Sequence, residues 1–185
     1  MLSRITMIQI DRYPALEGLG NGLTMRKATR EDLIQAAEFN PEQLSVSFVN
    51  EALAKGDYCA AAFDGEQMVA WAWASFDSAP HGDGLRVKVE APFSYGYKWF
   101  TKPEYRGRGI IGPLANLRDQ LGAETGVTHN VGFTETHNYA SQRSSQRLGA
   151  IVVGYAGYLK FFGKAYPFRS RGAASHSFRF YREPR

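Results

Sequence analysis

The sequence has a single cysteine, few histidines and no long apolar run. Cys59 alone excludes an internal disulfide, and it shows no metal-ligand spacing with the four histidines. No stretch of about 18 apolar residues is present to span a membrane. Residues 1–13 lack the continuous apolar run and the small-residue cleavage site of a signal peptide. We therefore expect a soluble, cytoplasmic protein without a metal site.

The composition is that of a globular domain. The chain has 185 residues, of which 44% are apolar, 14% aromatic and 22% charged. This balance excludes disordered, collagen-like and coiled-coil proteins, and the length suits one domain better than two. We expect a single domain over residues 1–185, with an N-terminal extension at 1–22 and a core at 23–185.

Positive charge is concentrated near the C-terminus. From His137 onward there are nine of the 22 Lys and Arg residues but only one of the 18 acidic residues, Glu183, so this segment carries +8 and the preceding one −4. Clustered positive charge favours an anionic partner, such as a phosphorylated cofactor or a nucleic acid. A solvated basic surface explains the same pattern, and charge alone leaves the two interpretations open.

Turn and cap residues divide the chain into short elements. A strand at 23–27 precedes a helix capped by Thr29, a second helix is predicted at 42–54, and Asp64-Gly65 between two β-type runs predicts a hairpin. Residues 78–84 are predicted to be a loop, and strands are predicted at 93–101, 127–134, 150–162 and 175–181. Helical spacing follows Gly109 and again Asn138. This order favours a mixed sheet flanked by helices over a doubly wound nucleotide fold.

A glycine- and arginine-rich turn lies where the strand at 93–101 leads into a helix. Gly107 and Gly109 let the backbone approach an anion, while Arg106 and Arg108 add positive charge near the unpaired N–H groups of the helix start. The glycines at 107, 109 and 112 fit neither the P-loop nor the dinucleotide-binding pattern. The turn therefore predicts either an anion site of another kind or an ordinary basic helix start.

Three segments together resemble the GCN5-related N-acetyltransferases. Residues 106–110 resemble the family's acetyl-CoA loop, Arg/Gln-x-x-Gly-x-Gly/Ala, in its place between strand and helix. Residues 23–33 resemble its first strand and helix start. Residues 138–141, followed by 147–150, resemble its second signature, an Asn-x-x-Ala/Ser helix start leading to a Leu-Gly-Phe ending. The resemblance covers nearly the whole chain.

The resemblance implies an α/β fold with a central mixed, mostly antiparallel sheet that is flanked by helices and splayed between its two central strands. The pyrophosphate of acetyl-CoA would lie on the backbone of the turn, and the pantetheine arm would pair with residues 99–101. A backbone N–H of that strand would polarise the thioester carbonyl. The cofactor-binding residues implied are Trp99, Phe100, Thr101, Arg106, Gly107, Arg108, Gly109, Ile110, Ile111, Gly112, Asn138 and Ser141.

The chain departs from the family pattern at three positions. Ile111 stands where a small residue is usual, with Gly112 one residue late. Ser145 stands where many members carry a tyrosine acid, and a serine can relay or donate a hydrogen bond but is a poor proton donor. Ala150 replaces the aromatic residue of the Leu-Gly-Phe ending.

Glu135 and His137 are the first candidates for the general base that direct attack of an amine requires. Strand alternation predicts that both project to the same side, near the expected thioester. His137 suits proton transfer near neutral pH, and Glu135 could act through water. A structural role for either residue is equally open. Asp77, His81 and Glu90 are weaker candidates because exposed loop positions explain them.

We interpret the chain as an N-acetyltransferase that uses acetyl-CoA to acetylate a primary amine of a small molecule or a polypeptide. One alternative is a transferase of the same fold that takes an aminoacyl group from charged tRNA, which the basic C-terminal segment, ending at Arg185, would suit. The other is a non-catalytic module that binds CoA. As partners we expect the amine acceptor and a second copy of the chain, with tRNA only under the first alternative and no membrane.

Overall fold

The computed structural model describes residues 1–12 and 22–183, and their contacts divide into two compact units. The terminal unit takes its residues from 1–14, 76–95 and 126–185, and the middle unit takes its residues from 15–75 and 96–125. Residues 13–21 of the predicted extension and Arg185 of the basic segment lie outside the described residues. The single domain predicted over residues 1–185 stays a prediction.

Strands and helices alternate irregularly along the described chain. Short 3₁₀ helices at Ile10–Arg12 and Pro103–Tyr105 supplement them. In chain order the elements are β1 (Leu2–Gln9), β2 (Thr24–Lys27), α1 (Arg30–Phe39), α2 (Val46–Ala54), β3 (Tyr58–Asp64), β4 (Gln67–Ser75), β5 (Ser78–Pro80), β6 (Arg86–Lys88), β7 (Phe93–Thr101), α3 (Ile111–Ala123), β8 (His129–Glu135), α4 (Tyr139–Arg147), β9 (Ile151–Phe161), β10 (Lys164–Arg169), α5 (Arg171–Ser175) and β11 (Arg179–Tyr181).

Side-chain caps fix the helix starts of the middle unit. The Thr29 hydroxyl accepts from the Asp32 N–H, and the Asp32 carboxylate accepts from the Thr29 N–H, which completes a capping box for α1. A salt bridge from Arg26 and these cap bonds lower the pKa of Asp32 to about 2. The Ser45 hydroxyl caps α2 by accepting from the Phe48 N–H. Since this cap follows residues 42–44, the helix begins at Val46 and the predicted start at residue 42 is wrong.

The sheet of the middle unit consists of residues 96–101 of β7, then β4, β3 and β2 in that order. The predicted hairpin is confirmed, because β3 and β4 pair from Tyr58↔Ala74 to Asp64↔Gln67. Both strands are buried almost throughout, and α3 packs on β2, β3 and β4. Its contact is built largely from small side chains, which are Ala60, Ala62, Val69, Ala70 and Ala72, with Ile110 and Leu114 from the helix side.

The terminal unit has a five-stranded sheet in the order β10-β9-β1-β8-β7. Its pairs are antiparallel except β7–β8, which is parallel from Phe93↔His129 to Tyr95↔Val131. Residues 2–9, which the sequence assigned to an extension, form β1 between β8 and β9. A mixed, mostly antiparallel sheet flanked by helices is therefore confirmed.

Short elements near the C-terminus depart from the predicted ones. Residues 78–84, predicted to be a loop, contain β5, which pairs with β6. The strand predicted at 175–181 is only β11, since Ser170 caps α5 through the Ala173 N–H. Two glycines allow α5 to lie against β9, because a Cβ on Gly154 would lie 2.5 Å from the Ala173 nitrogen. A Cβ on Gly172 would be even closer to the Val153 oxygen.

The terminal unit also has a three-stranded sheet in the order β11-β6-β5, and an aromatic cluster lies between it and the five-stranded sheet. The ring of His81 lies 5.4 Å from that of Phe133, 5.8 Å from Tyr158 and 5.0 Å from Phe180. His81 is thus packed, not an exposed loop residue as expected. Burial lowers the pKa of His81, and Asp83 and Glu135 oppose this effect only in part.

We expect His81 to make stability depend on pH. The folded state disfavours the imidazolium, so the unfolded chain binds more protons below the ordinary histidine pKa of about 6.5. The free energy of unfolding should fall as pH falls from about 7 to 5, by less than about 1 kcal/mol per pH unit. Urea unfolding at several pH values measures the slope. His81→Phe should flatten it, and equal slopes in the two proteins would contradict the assignment.

No helix in the described part of the chain is both long and apolar enough to cross a membrane.

Candidate functional site

The glycine-rich turn of the middle unit connects β7 to α3. After Thr101 the chain forms the 3₁₀ helix Pro103–Tyr105 and then turns through residues 106–110. Gly107 has φ 78° and Gly109 has φ 72°, which is the left-handed region that side-chain-bearing residues rarely adopt. A Cβ built on Gly107 would meet no atom within 4 Å, so the backbone there faces open space.

The start of α3 lacks a side-chain cap. Its N-cap residue, Ile110, has no side-chain hydrogen bond to the helix, and its side chain is buried with Leu114. Pro113 has no N–H to satisfy, so Ile111 and Gly112 supply the first helical N–H groups. Uncapped N–H groups and the positive end of a 13-residue helix together attract an anion.

Two arginines hold the turn together and add positive charge. Arg106 Nε donates to the Thr101 carbonyl at 3.1 Å, and Arg108 donates to the Glu104 carbonyl at 3.0 Å. The Arg108 guanidinium lies 4.7 Å from the ring centre of Tyr105, whose hydroxyl donates to Asp64 at 2.7 Å. Both arginines remain exposed, so their charge is available to a ligand.

The strand before the turn is distorted at Lys98, which has φ 49°. A left-handed residue inside a strand is typical of a β-bulge, which bends the strand and re-aims backbone groups. Beyond it, Trp99 is 38% exposed, and the ring of Phe100 stacks on Trp71 at 4.3 Å. Thr101, the last residue of β7, is half-buried. The irregularity therefore adjoins residues 99–101, the segment implied to bind the cofactor arm.

A buried ion pair supports this segment from α3. Arg118 and Asp119 have side chains only 1% and 0% exposed, and Arg118 Nε donates to Asp119 Oδ1 at 2.7 Å. The guanidinium lies 4.4 Å from the ring centre of Trp99. A Cβ on Gly96 would lie 2.1 Å from Arg118 Nη1, so a larger residue there would displace the guanidinium. Sequence analysis missed this pair, because adjacent Arg and Asp in a helix usually lie at the surface.

In the terminal unit, the side chains of Glu135 and His137 are in contact, although β8 ends at Glu135 and His137 lies in the turn that follows. His137 Nε2 lies 3.0 Å from Glu135 Oε2 at the end of β8, with the carboxylate 39% exposed and the imidazole 79% exposed. The Asn138 N–H donates to the Glu135 carbonyl at 2.9 Å, which closes a turn. Buried Gln142 of α4 donates to the carbonyls of Glu135 and Thr136 at 3.1 and 2.9 Å. The turn is thus held by its neighbours while the two side chains face solvent.

These two side chains line a cavity of about 420 Å³ that we call the notch. It lies between the end of β8 and residues 158–160 of β9, next to Met1, which exchanges backbone hydrogen bonds with Tyr158. The lining residues are Met1, Leu2, Glu135, Thr136, His137, Tyr158, Leu159 and Lys160.

The notch also contains a tyrosine, Tyr158. Tyr158 Oη donates to Asp83 at 2.7 Å, and Lys160 donates to the same carboxylate at 2.6 Å. Burial and the Asp83 hydrogen bond raise the pKa of Tyr158 to about 12, so its hydroxyl keeps its proton at neutral pH. The bonds from Lys160 and Tyr158 lower the pKa of Asp83. Only the alternation of β9 could have indicated that Tyr158 and Lys160 share a face.

The remaining predicted site residues lie on or before α4. Asn138 is the N-cap, and its side-chain oxygen accepts from the Ser141 N–H at 3.1 Å. Both residues are exposed, and Ser145 is half-buried one turn further along. The structure therefore groups Asn138, Ser141 and Ser145 with Glu135 and His137 in the terminal unit, whereas residues 99–101 and 106–112 belong to the middle unit.

Within residues 1–12 and 22–183, no group of three or more His, Cys, Asp and Glu side chains could hold a metal ion.

Comparison with known proteins identifies the fold. No family model matches the sequence, and no curated protein matches it. A putative acetyltransferase of the GCN5-related family from Novosphingobium aromaticivorans has TM-score 0.56 and 15% identity, over 84% of this chain and 62% of that chain. The aminoglycoside 6'-N-acetyltransferase AAC(6')-Ih from Acinetobacter baumannii has TM-score 0.52 and 18% identity, over 69% and 90%.

A third structure, the aminoglycoside N-acetyltransferase AAC(6')-Iy in complex with CoA, has TM-score 0.54 and 19% identity, over 68% of this chain and 90% of that chain. All three match this chain with TM-scores above 0.5. The chain therefore has the fold of the GCN5-related N-acetyltransferases, and the predicted resemblance is confirmed at that level. A shared fold does not by itself establish an activity.

Proposed function

We propose that the protein is an acetyltransferase that transfers the acetyl group of acetyl-CoA to a primary amine. The observation that carries the proposal is the uncapped start of α3 behind two left-handed glycines, in a chain with this fold. Such a helix start binds phosphate through backbone N–H groups. The proposed acceptor is an amine of a small molecule or of a polypeptide.

The residues of the middle unit fit the proposed cosubstrate. The N–H groups from Gly107 to Gly112 would take the pyrophosphate, with Arg106 and Arg108 adding charge, and open space beside Gly107 leaves room for it. The bulge at Lys98 supports pairing of the pantetheine arm with Trp99, Phe100 and Thr101, because it re-aims backbone groups of β7. Ile111 needs to contribute only its N–H, and its half-buried side chain is compatible with that.

Acetyl-CoA supplies the thioester whose carbonyl carbon the amine attacks. The C–N bond forms, the C–S bond breaks, and the sulfur leaves as a thiolate, which takes up the proton that the attacking nitrogen loses. A backbone N–H of residues 99–101 would stabilise the charge that develops on the carbonyl oxygen. Asn138 and Ser141 are proposed to contact the cofactor arm, and Ser145 to donate or relay a hydrogen bond to the leaving sulfur.

The proposed reaction also requires that the substrate ammonium lose a proton, and we assign this step to residues of the notch. An ammonium group must lose a proton before its nitrogen can attack, and the Glu135 carboxylate, directly or through water, is the proposed acceptor of that proton. His137, 3.0 Å away, is the proposed partner that orients or receives it. The amine substrate is proposed to enter the notch, where the Glu135 carboxylate and His137 lie in its lining.

We expect Glu135→Gln to lower kcat/KM at least about 100-fold, because it removes the proposed base and keeps the side-chain shape. His137→Asn should lower kcat/KM less, since a carboxylate remains. A panel of primary amines with acetyl-CoA, followed by thiol release, measures both. Affinity for acetyl-CoA should stay unchanged in both variants.

Glu90→Gln is the matched control, because Glu90 is an exposed carboxylate of the same unit that pairs with Arg179 at 3.7 Å. Its turnover should equal that of the wild type. Unchanged turnover in a Glu135→Gln/His137→Asn double variant would remove these residues as the base. If the wild-type protein binds acetyl-CoA but acetylates none of many amines, the non-catalytic alternative is favoured.

A further inference from the structure

The end of β9 and the whole of β10 form a two-stranded ribbon at the edge of the terminal unit's sheet. β9 pairs with β1 as far as Leu2↔Gly157, Met1 exchanges backbone hydrogen bonds with Tyr158, and β9 pairs with β10 from Leu159↔Tyr166 to Phe161↔Lys164. A two-stranded ribbon is at best marginally stable in water unless one of its faces is packed. The ribbon therefore needs side chains packed on at least one of its two faces to be stable.

One face of this ribbon is apolar and exposed. Leu159 pairs with Tyr166, and Phe168 pairs with Gly157, so alternation places these side chains on the same face. The Phe168 ring covers Gly157, where a Cβ would lie 3.0 Å from its Cζ. We call this surface, with Phe162 at the connecting turn, the ribbon face; its large apolar members are Tyr155 (45% exposed), Leu159 (66%), Phe161 (64%), Phe162 (90%), Tyr166 (53%) and Phe168 (42%).

The ribbon face is large enough for a stable interface. Taking about 220 Å² for each fully exposed side chain of this size, the six residues leave roughly 800 Å² open to solvent. The largest apolar patch of a typical monomer covers only about 300 to 600 Å². A standard protein interface buries about 800 Å² on each partner. The exposed area thus matches what one side of a dimer needs.

The charges around the ribbon favour an apolar partner over an anionic one. Lys164 is the only charged side chain that alternation places on this face within β10 and residues 155–161 of β9. Lys160 and Arg169 point to the opposite face, where Lys160 binds Asp83 and Arg169 donates to the Phe178 carbonyl. Their positive charge is thus not available to a phosphate-rich surface that covers the ribbon face.

The edge of β10 is poorly suited to strand addition. Pro167 has no N–H to donate, and proline in an edge strand hinders pairing with another strand. We therefore expect a partner to bind through the side chains of the ribbon face and not through the backbone edge of β10. An apolar face without a row of charges is complementary to itself, as a two-fold interface requires.

We infer that the ribbon face packs against the same face of a second copy of this chain, forming a two-fold homodimer. The aromatic and leucine side chains of each copy fill the core of the interface, and Lys164 lies at its rim. Phe162, which holds a bulky side chain outward at φ 46°, is expected to be a major contact.

Sedimentation velocity of the purified chain between about 0.1 and 100 µM tests this inference without reference to enzymatic activity. The wild-type protein should be a dimer over most of this range. Phe161→Glu and, independently, Tyr166→Lys should lower the association constant at least about 30-fold, because each places a charge in the apolar core of the interface. Circular dichroism should be unchanged, since both side chains are more than half exposed.

Phe39→Glu is the matched control, because Phe39 is 76% exposed and belongs to the middle unit. It should leave the dimer intact. A monomeric wild-type protein at every concentration would overturn the inference, and so would a dimer that survives both substitutions. A monomer that binds vesicles containing phosphatidylserine, and loses this binding in Phe161→Glu, would overturn it in favour of a membrane surface.

Discussion

Replacing Gly109 with glutamate is expected to lower the affinity for acetyl-CoA at least about 100-fold. The substitution puts a negative charge beside the N–H groups that would bind the pyrophosphate, and it displaces a backbone held at φ 72°. Loss of two charge-assisted hydrogen bonds suffices for a change of this size. Isothermal titration of wild type and variant with acetyl-CoA measures it.

Gly126→Glu is the matched control for this experiment. Gly126 is also exposed, has φ 86° and would place its Cβ in open space, so the variant suffers the same backbone strain and the same added charge. Both variants should be less stable by about 1 to 2 kcal/mol, but only Gly109→Glu should lose binding. If both bind as the wild type does, the turn is not the anion site. A well-folded wild type that does not bind acetyl-CoA would point to a different acyl donor.

The second large effect concerns the buried ion pair of α3. We expect Asp119→Asn to lower the free energy of unfolding by about 3 to 5 kcal/mol, because the Arg118 guanidinium would keep its charge in a buried position without this carboxylate. The two side chains are 1% and 0% exposed, and Nη2 of Arg118 lies 2.5 Å from the carboxylate oxygen. Urea unfolding, followed by tryptophan fluorescence, measures the change.

A double variant, Arg118→Met with Asp119→Asn, separates charge from packing. It removes both charges and keeps the volume of the long side chain, so it should recover much of the stability lost in Asp119→Asn. Because the guanidinium lies over Trp99, the emission spectrum should differ between the single and the double variant. A single variant as stable as the wild type would show that this pair does not stabilise α3.

Local signals in the sequence predicted most of the middle unit. Thr29 as a cap, the hairpin at Asp64-Gly65 and the strand at 93–101 depend on nearby residues, and the structure has each of them. Residues 2–9 form a strand that pairs with β8 and β9, which lie more than a hundred residues further along the chain. Hydrophobic periodicity does not indicate which strands pair with each other. The same limit applies to α5, which reaches β9 only because Gly154 and Gly172 allow it.

The candidate site was predictable to a similar extent. Strand alternation predicted that Glu135 and His137 project to the same side; the two side chains are in contact, but β8 ends at Glu135 and a turn brings His137 to it, and their role stays a prediction. The notch was not predictable, since it requires residues 1–2, the end of β8 and residues 158–160 of β9 to lie together. The burial of Arg118 and Asp119 was not predictable either. It depends on Gly96, a residue without a side chain that leaves room for the Arg118 guanidinium.

The alanines beneath α3 have a consequence for how the turn at 106–110 can change. Small side chains of β3 and β4, such as Ala60 and Ala70, bring the helix close to the sheet, and Ile110 and Leu114 lie against them. Protein interiors are close-packed, so they have no free volume for an added methyl group. A larger side chain in these strands would therefore displace the helix together with its first turn. Under the proposed function, the geometry of the anion site therefore depends on side chains that do not contact the anion. Substitutions in β3 and β4 would then change ligand affinity as well as stability.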